Sequence, residues 1–297
     1  MNCRLRDIQA RLSEEGHPVS LPVISRLLHA ADYRLRVNRK ERAGPPHPDR
    51  DRQFGLIATQ RAGHLGSGEP VVSVDTKKKE LIGNFRNPGR AWGIAPEEVL
   101  VHDFPADGLG RAVPYGIYDV GRNVGWVVVG ESADTPEFAV DCLERWCASE
   151  LRRCYPHATR LMIEADGGGS NSARSRVWKA RLQEQIADQY GLEVTVCHYP
   201  PGTSKWNPIE HRLFSEISKT WAGCPLRTWD LMLSYLRDTR TETGLRVEAM
   251  RIRTHYPTGV KVSGEEMAQL NLNTHDSCPS WNYTIRPRQV ARLALAA

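Results

Sequence analysis

The stretch from Cys197 to Phe214, Cys-His-Tyr-Pro-Pro-Gly followed by Thr-Ser-Lys-Trp-Asn-Pro-Ile-Glu-His-Arg-Leu-Phe, constrains this chain more than any other. It reads as a strand end, a stiff Pro-Pro-Gly turn and a sharply started helix. Asn207 suits the N-cap, Pro208 the first helical position and Glu210 the third. That is also capping-box spacing, in which Glu210 would only tie down its own helix end. Leu213, Phe214, Ile217 and Trp221 recur at helical spacing from Glu210, so the carboxylate heads the stripe that packs on the rest of the protein. An acid placed there needs a cation, or other carboxylates bridged by a metal, because an unpaired buried charge is costly.

Two upstream acids end strand-like runs. Pro70-Val-Val-Ser-Val-Asp75 and Leu161-Met-Ile-Glu-Ala-Asp166 are short, apolar and β-branched or bulky, and each closes on an aspartate. Leu192–Cys197 is a third such run. Between them, Thr135 caps a helix predicted from about Pro136 to Cys154, with Phe138, Cys142, Trp146 and Leu151 inward. A second helix runs from about Ala173 to Tyr190 and stops at Gly191. Strands are also expected at Glu80–Phe85, joined to the first as a hairpin, at Tyr115–Asp119 and at Gly125–Gly130, with an irregular stretch from Pro88 to Pro114. Antiparallel strands first and β-α-β alternation afterwards predict an α/β fold: a ribonuclease-H-like mixed sheet flanked by helices.

Ahead of it, Leu5–Leu12 and Leu21–Ala31 read as two short helices around a Gly16-His-Pro turn. An Arg-rich tail follows, with Arg26, Arg34 and Arg36 as candidate phosphate contacts. This resembles a small helix-turn-helix element. Gly44-Pro-Pro-His-Pro marks a linker, giving three expected parts: residues 1–50, a catalytic domain over 51–222 and a C-terminal extension over 223–297. Net charge is +5, which permits an anionic partner without demanding one. No apolar run reaches membrane-span length, and the N-terminus lacks the apolar core of a signal peptide. Seven cysteines with no C-x-x-C pair fit a reduced, cytoplasmic compartment.

In open α/β sheets function gathers beyond the carboxyl ends of parallel strands, where Asp75, Asp166 and the Glu210 helix are expected to converge. Three carboxylates suit hard ions such as Mg²⁺ or Mn²⁺, and two such ions can activate a hydroxyl and stabilise a leaving phosphodiester oxygen. Singly, each aspartate also has an ordinary reading as a turn residue. Glu164, two residues before Asp166, is either a supporting ligand or a solvent-facing edge residue. Gly167-Gly-Gly lacks the Gly-Lys-Ser/Thr of a P-loop and reads as a close-approach loop, with Ser170 and Asn171 capping or orienting phosphate.

Val72-Ser-Val-Asp-Thr-Lys-Lys-Lys-Glu80, Asp166-Gly-Gly-Gly-Ser-Asn171 and His198-Tyr-Pro-Pro-Gly-Thr-Ser-Lys-Trp-Asn-Pro-Ile-Glu-His211 together resemble the DDE transposases of the ISAzo13 insertion-sequence family. The Pro-Pro…Asn-Pro-Ile-Glu block also resembles the broader IS630/Tc1-mariner group. The resemblance runs from about Leu5 to Arg288 and includes Asp238–Leu245 and Trp281–Ile285. It implies Asp75, Asp166 and Glu210 as catalytic, metal-binding residues using Mg²⁺ or Mn²⁺. It also implies transposon-end and target DNA as partners, a homodimer on DNA, and a bacterial, nucleoid-associated setting. Family members carry more N-terminal DNA-binding sequence than this chain, which therefore reads as a shortened copy. The rival expectations are a structure-selective nuclease on the same fold and a non-catalytic DNA-binding remnant.

Lys77, Lys78, Lys79 and Lys205 are further candidate phosphate contacts, although lysines at an exposed strand end also discourage edge pairing. His211 should lie at the surface and His198 should be a hydrogen-bonded strand-end residue. Trp206 reads as a packed turn aromatic, with base stacking the alternative. Arg246–Pro287 offers no chemistry that can be argued from its residues.

Overall fold

A computed structural model describes residues 4–34 and 47–288. The chain divides into two units, Met1–Pro45 and Pro46–Ala297. The first contains α1 (Leu5–Glu14) and α2 (Leu21–Ala30), joined through Gly16 at φ +83°. Ile24 is its buried apolar anchor. Arg36 lies outside the described residues.

The second unit is built on a sheet. Its strands are β1 (Val71–Thr76), β2 (Glu80–Ile82), β3 (Gly110–Asp119), β4 (Val124–Gly130), β5 (Arg160–Ala165), β6 (Glu193–His198), β7 (Arg246–Ile252), β8 (Leu272–Thr274) and β9 (Asn282–Ile285), ordered β7-β4-β3-β1-β5-β6-β9-β8 with β2 beside β3. β3 lies between β1 and β4 and is antiparallel to both, and β5 and β6 run parallel to β1. That central order, antiparallel on one side of β1 and parallel on the other, is the ribonuclease-H-like arrangement expected from the sequence.

Alternation along the strands separates two covered faces. Val72, Val74, Tyr115, Ile117, Leu161, Ile163, Val194 and Val196 point to one face, under α4 (Pro136–Trp146) and α6 (Arg176–Arg181). α4 continues through a π-helical turn, Cys147–Leu151, into α5 (Arg152–Cys154), and α6 through one at Leu182–Asp188. Thr135 caps α4 as expected, its Oγ1 accepting from Phe138 N at 3.2 Å. The opposite face is covered by α3 (Arg50–Gly66) near β1 and β5, and by α7 (Ser215–Thr220) and α8 (Trp229–Asp238) near β4 and β7.

Three features differ from the sequence expectation. Residues 53–66, given no element there, form most of α3; its buried positions include the polar Gln53 and His64, so the apolar period is weak. β2 is no hairpin partner of β1. Thr76 pairs with Tyr115, Lys77 N bonds Pro114 O and Glu80 pairs with Ala112, so the chain continues along β3 past a bulge at the lysines without reversing. Residues 246–285 add strands at both sides of the core, β7 parallel to β4 and β9 antiparallel to β6.

Candidate active site

Asp75 is the fifth residue of β1, two beyond Ser73, so both point to the same face of the sheet. Asp166 directly follows β5. Glu210 opens a π-helical turn, Glu210–Phe214, that runs into α7. Leu213, Phe214, Ile217 and Trp221 are all buried, as their spacing predicted. Two glycines let this helix lie close on the sheet. A Cβ on Gly116 would stand 2.5 Å from Phe214 Cε1 and 2.8 Å from Ile209 Cδ1, and one on Gly125 would meet Leu213 Cδ1. Gly116 is also the register partner of Asp75.

The three acids are electrostatically linked. The Asp75 carboxyl is pushed up to about 8, by burial first and then by the charge of Asp166, with Glu210 and Asp134 adding to it; a bond from Thr76 N at 2.7 Å pulls it back. Burial raises Asp166 while a bond from Asn207 lowers it. Burial and the Asp166 charge raise Glu210, whose carboxyl is near enough to Asp75 to hydrogen-bond with it. Asp75, Asp166, Gly167–Gly169, Arg174 and Trp281 line a cleft of about 510 Å³. Glu210 is outside that lining and connects to it through Asp75. Among the described residues, no three His, Cys, Asp or Glu side chains are already spaced to enclose one ion. A larger cleft of about 830 Å³ among Arg86, Arg90 and Trp92 has Glu97 as its one acid, and Glu97 is paired with Arg227.

Several neighbours lacked a local signal. Asp134, in the run after β4, accepts from Thr76 Oγ1 at 3.0 Å. Arg174 is an exposed cation at the cleft. Asn207 does not cap its helix; its Nδ2 donates to Asp166 Oδ1 at 2.9 Å, and Ser73 Oγ takes the capping bond from Ile209 N at 3.0 Å. Glu164 fits neither sequence reading. It is fully buried on the α3 side, held by Arg61 Nε and Nη2 at 2.6 Å each and by Tyr199 Oη at 3.1 Å.

The candidate phosphate contacts are dispersed. Lys77 is buried, 3.7 Å from Glu80 and over the Trp221 ring, whereas Lys78 and Lys79 are exposed. Lys205 is exposed beside a half-exposed Trp206. Arg26 is exposed on α2, and Arg34 bonds the carbonyls of His29 and Tyr33. His211 is exposed. His198 is fully buried between the carbonyls of Trp281 and Asn171.

A mixed sheet of this order, with acids on β1, just after β5 and on the helix after β6, is of the ribonuclease-H-like class. The Rhodopirellula transposase DDE domain family matches residues 2–287. The chain belongs to that family and is a transposase. Among solved structures, the Mos1 transposase paired-end complex with left transposon end is similar at 14% identity, covering 80% of this chain and 70% of that one with a TM-score of 0.47. The Mos1 mariner paired end complex with Mn gives 15% identity, the same coverages and TM-score 0.47. The Mos1 Strand Transfer Complex gives 14% and 0.45, again covering 80% and 70%. No curated protein matches the chain. Among the described residues no helix is long and apolar enough to cross a membrane.

Proposed function

We propose that the chain cleaves DNA at the ends of an insertion element and joins them to target DNA, with Asp75, Asp166 and Glu210 as its catalytic carboxylates. The observation that carries this is that three sequence-remote elements bring three acids together: Asp75 and Asp166 line one cleft, and the Asp166 charge raises both Asp75 and Glu210. Partly buried carboxylates held beside another negative charge are destabilised until a cation neutralises them. The donors are all hard oxygens, which fits Mg²⁺ or Mn²⁺. Such an ion takes one or two carboxylates and completes its shell with water and substrate phosphate, so three preset ligands are not required. When bound it would lower the pKa of the attacking hydroxyl and offset charge on the leaving oxygen.

In the cleavage step a water oxygen bonds to phosphorus as the P–O3′ bond breaks; the water gives up a proton and the freed 3′ oxygen takes one. In the joining step that 3′ hydroxyl attacks a target phosphorus and displaces the target's own 3′ oxygen. One P–O bond forms for each one broken, so no external energy source enters. Asp75 and Asp166 would hold the ion, and Glu210 would complete the site. Lys78, Lys79, Arg174 and Lys205 supply phosphate contacts, giving binding a steep salt dependence. The first unit, with Arg26 and Arg34, would serve end recognition, and the second would carry the chemistry. Residues 223–297, which include three strands of the sheet, extend its core.

The test is incubation of the purified chain with Mg²⁺ or Mn²⁺ and labelled DNA carrying its element's ends, beside Asp75→Asn, Asp166→Asn and Glu210→Gln. Metal-dependent nicking and joining, lost in each variant, is expected. Cleavage without joining would make it a structure-selective nuclease. Binding that is unchanged in the variants, with no cleavage, would make it a DNA-binding remnant.

A further inference from the structure

We infer that Ser73 and Asn207 form a positioning pair that fixes the three catalytic carboxylates relative to one another, and so sets their affinity for a divalent ion; the inference rests on the metal-site reading above. Both side chains are fully buried, at 0% exposure. Ser73 Oγ donates to Asn207 Oδ1 at 2.5 Å and accepts from Ile209 N at 3.0 Å. Asn207 Nδ2 spends its two hydrogens on Asp166 Oδ1 at 2.9 Å and on Val74 O at 3.3 Å. The pair therefore touches all three acid-bearing elements. Ser73 and Val74 belong to the strand of Asp75, the amide holds the Asp166 carboxylate itself, and Ile209 N starts the turn of Glu210.

The bonding leaves no freedom in the amide. The hydroxyl hydrogen goes to Oδ1, so the NH₂ group must face Asp166 and Val74, both acceptors; a flipped amide would set oxygen against oxygen on that side. One oxygen of Asp166 is thus fixed by a charge-assisted bond while the other remains for a ligand. A cap serving only the helix would need the Ile209 bond and nothing at Asp166. Partners that orient metal-holding carboxylates in this way change metal affinity by about 10–100-fold when removed.

Mn²⁺ titration of the full chain, followed by loss of the free-ion electron paramagnetic resonance signal, tests this without DNA or turnover. The proteins are the parent, Asn207→Ala, Ser73→Ala and Ser73→Thr, with Asp75→Asn as the site-loss reference and thermal melts in EDTA alongside. Asn207→Ala should bind Mn²⁺ about 10–100-fold more weakly than the parent. Ser73→Ala, which keeps the Asp166 bond, should lose several-fold, and Ser73→Thr, which keeps the hydroxyl, should recover most of that. If Asn207→Ala fails to fold, the contrast between Ser73→Ala and Ser73→Thr carries the test. Parental Mn²⁺ affinity in both alanine variants, with lowered melting temperature, would reduce the pair to a structural role and overturn the inference. Absence of binding by the parent would instead overturn the metal-site reading, and the inference with it.

Discussion

Gly116→Ala is the sharpest test of how Glu210 is held. The added Cβ would stand 2.5 and 2.9 Å from Phe214 Cε1 and Cζ and 2.8 Å from Ile209 Cδ1. Carbon atoms settle at about 3.5–4.0 Å, so the buried Phe214 and Ile209 side chains must give by roughly 1 Å, and in a close-packed core their helix retreats with them. Ile209 precedes Glu210 and Phe214 lies four residues beyond it, so the retreat moves Glu210 away from Asp75, which pairs with Gly116 across the ladder. Overpacking of this kind costs about 1–3 kcal/mol, which lowers the melting temperature of a unit this size by about 2–12 °C. A misplacement near 1 Å at the chemistry costs about 100-fold in rate. Nicking of end-labelled DNA under single-turnover conditions, with DNA binding measured separately, should show that loss with binding retained. Gly55→Ala, in the interior of α3 with nothing within 4 Å of its new Cβ, is the contrast: it should gain about 0.5–1 kcal/mol. A folded Gly116→Ala protein cleaving at the parental rate would refute the reasoning.

Asp75 is held at about 8, against 3.8 for an unperturbed aspartate, so between those values the folded, metal-free protein keeps a proton that the unfolded chain releases. Its contribution is full below pH 3.8 and is lost as pH rises to 8, by at most about 6 kcal/mol. In EDTA, the stability advantage of Asp75→Asn over the parent should widen from pH 5 to 8 and shrink when Mn²⁺ is added; an advantage constant with pH would sink the idea. Arg61→Ala strands the fully buried Glu164 carboxylate and should cost about 3–5 kcal/mol in urea unfolding, whereas Arg61→Met with Glu164→Leu should recover most of it. Equal losses in the single and double variants would argue that packing, not charge, dominates there.

The acids and the sheet core were legible because their signals are local: an apolar run closing on an acid, and an apolar stripe at helical spacing after Asn-Pro-Ile-Glu. What escaped was carried by partners far along the chain. Asn207 has every local mark of an N-cap, yet the hydroxyl that caps its helix is on Ser73, 134 residues away by sequence, and the amide goes to Asp166. Gln53 and Asn282 are polar, yet exchange two amide bonds, Gln53 Nε2 to Asn282 Oδ1 at 2.8 Å and Asn282 Nδ2 to Gln53 Oε1 at 2.6 Å, each in full burial. That pairing hides both α3 and β9 from any apolar period. The three lysines after Asp75 suggested a reversal because polar runs usually mark turns, whereas here β3 is long enough to pair with the chain on both sides of them.

β9 gives the enzyme an order of assembly. It is the last described strand to be synthesised, yet it closes against β6, and Trp281 just before it supplies a wall of the acidic cleft. Such sequence-distant pairing is slow to form and is made only after most of the chain has been released from the ribosome. A nascent chain halted before Trp281 would carry all three acids on an unfinished sheet, with Gln53 still lacking its amide partner. The wall that Trp281 gives the acidic cleft would then be completed only after all three acids are in place.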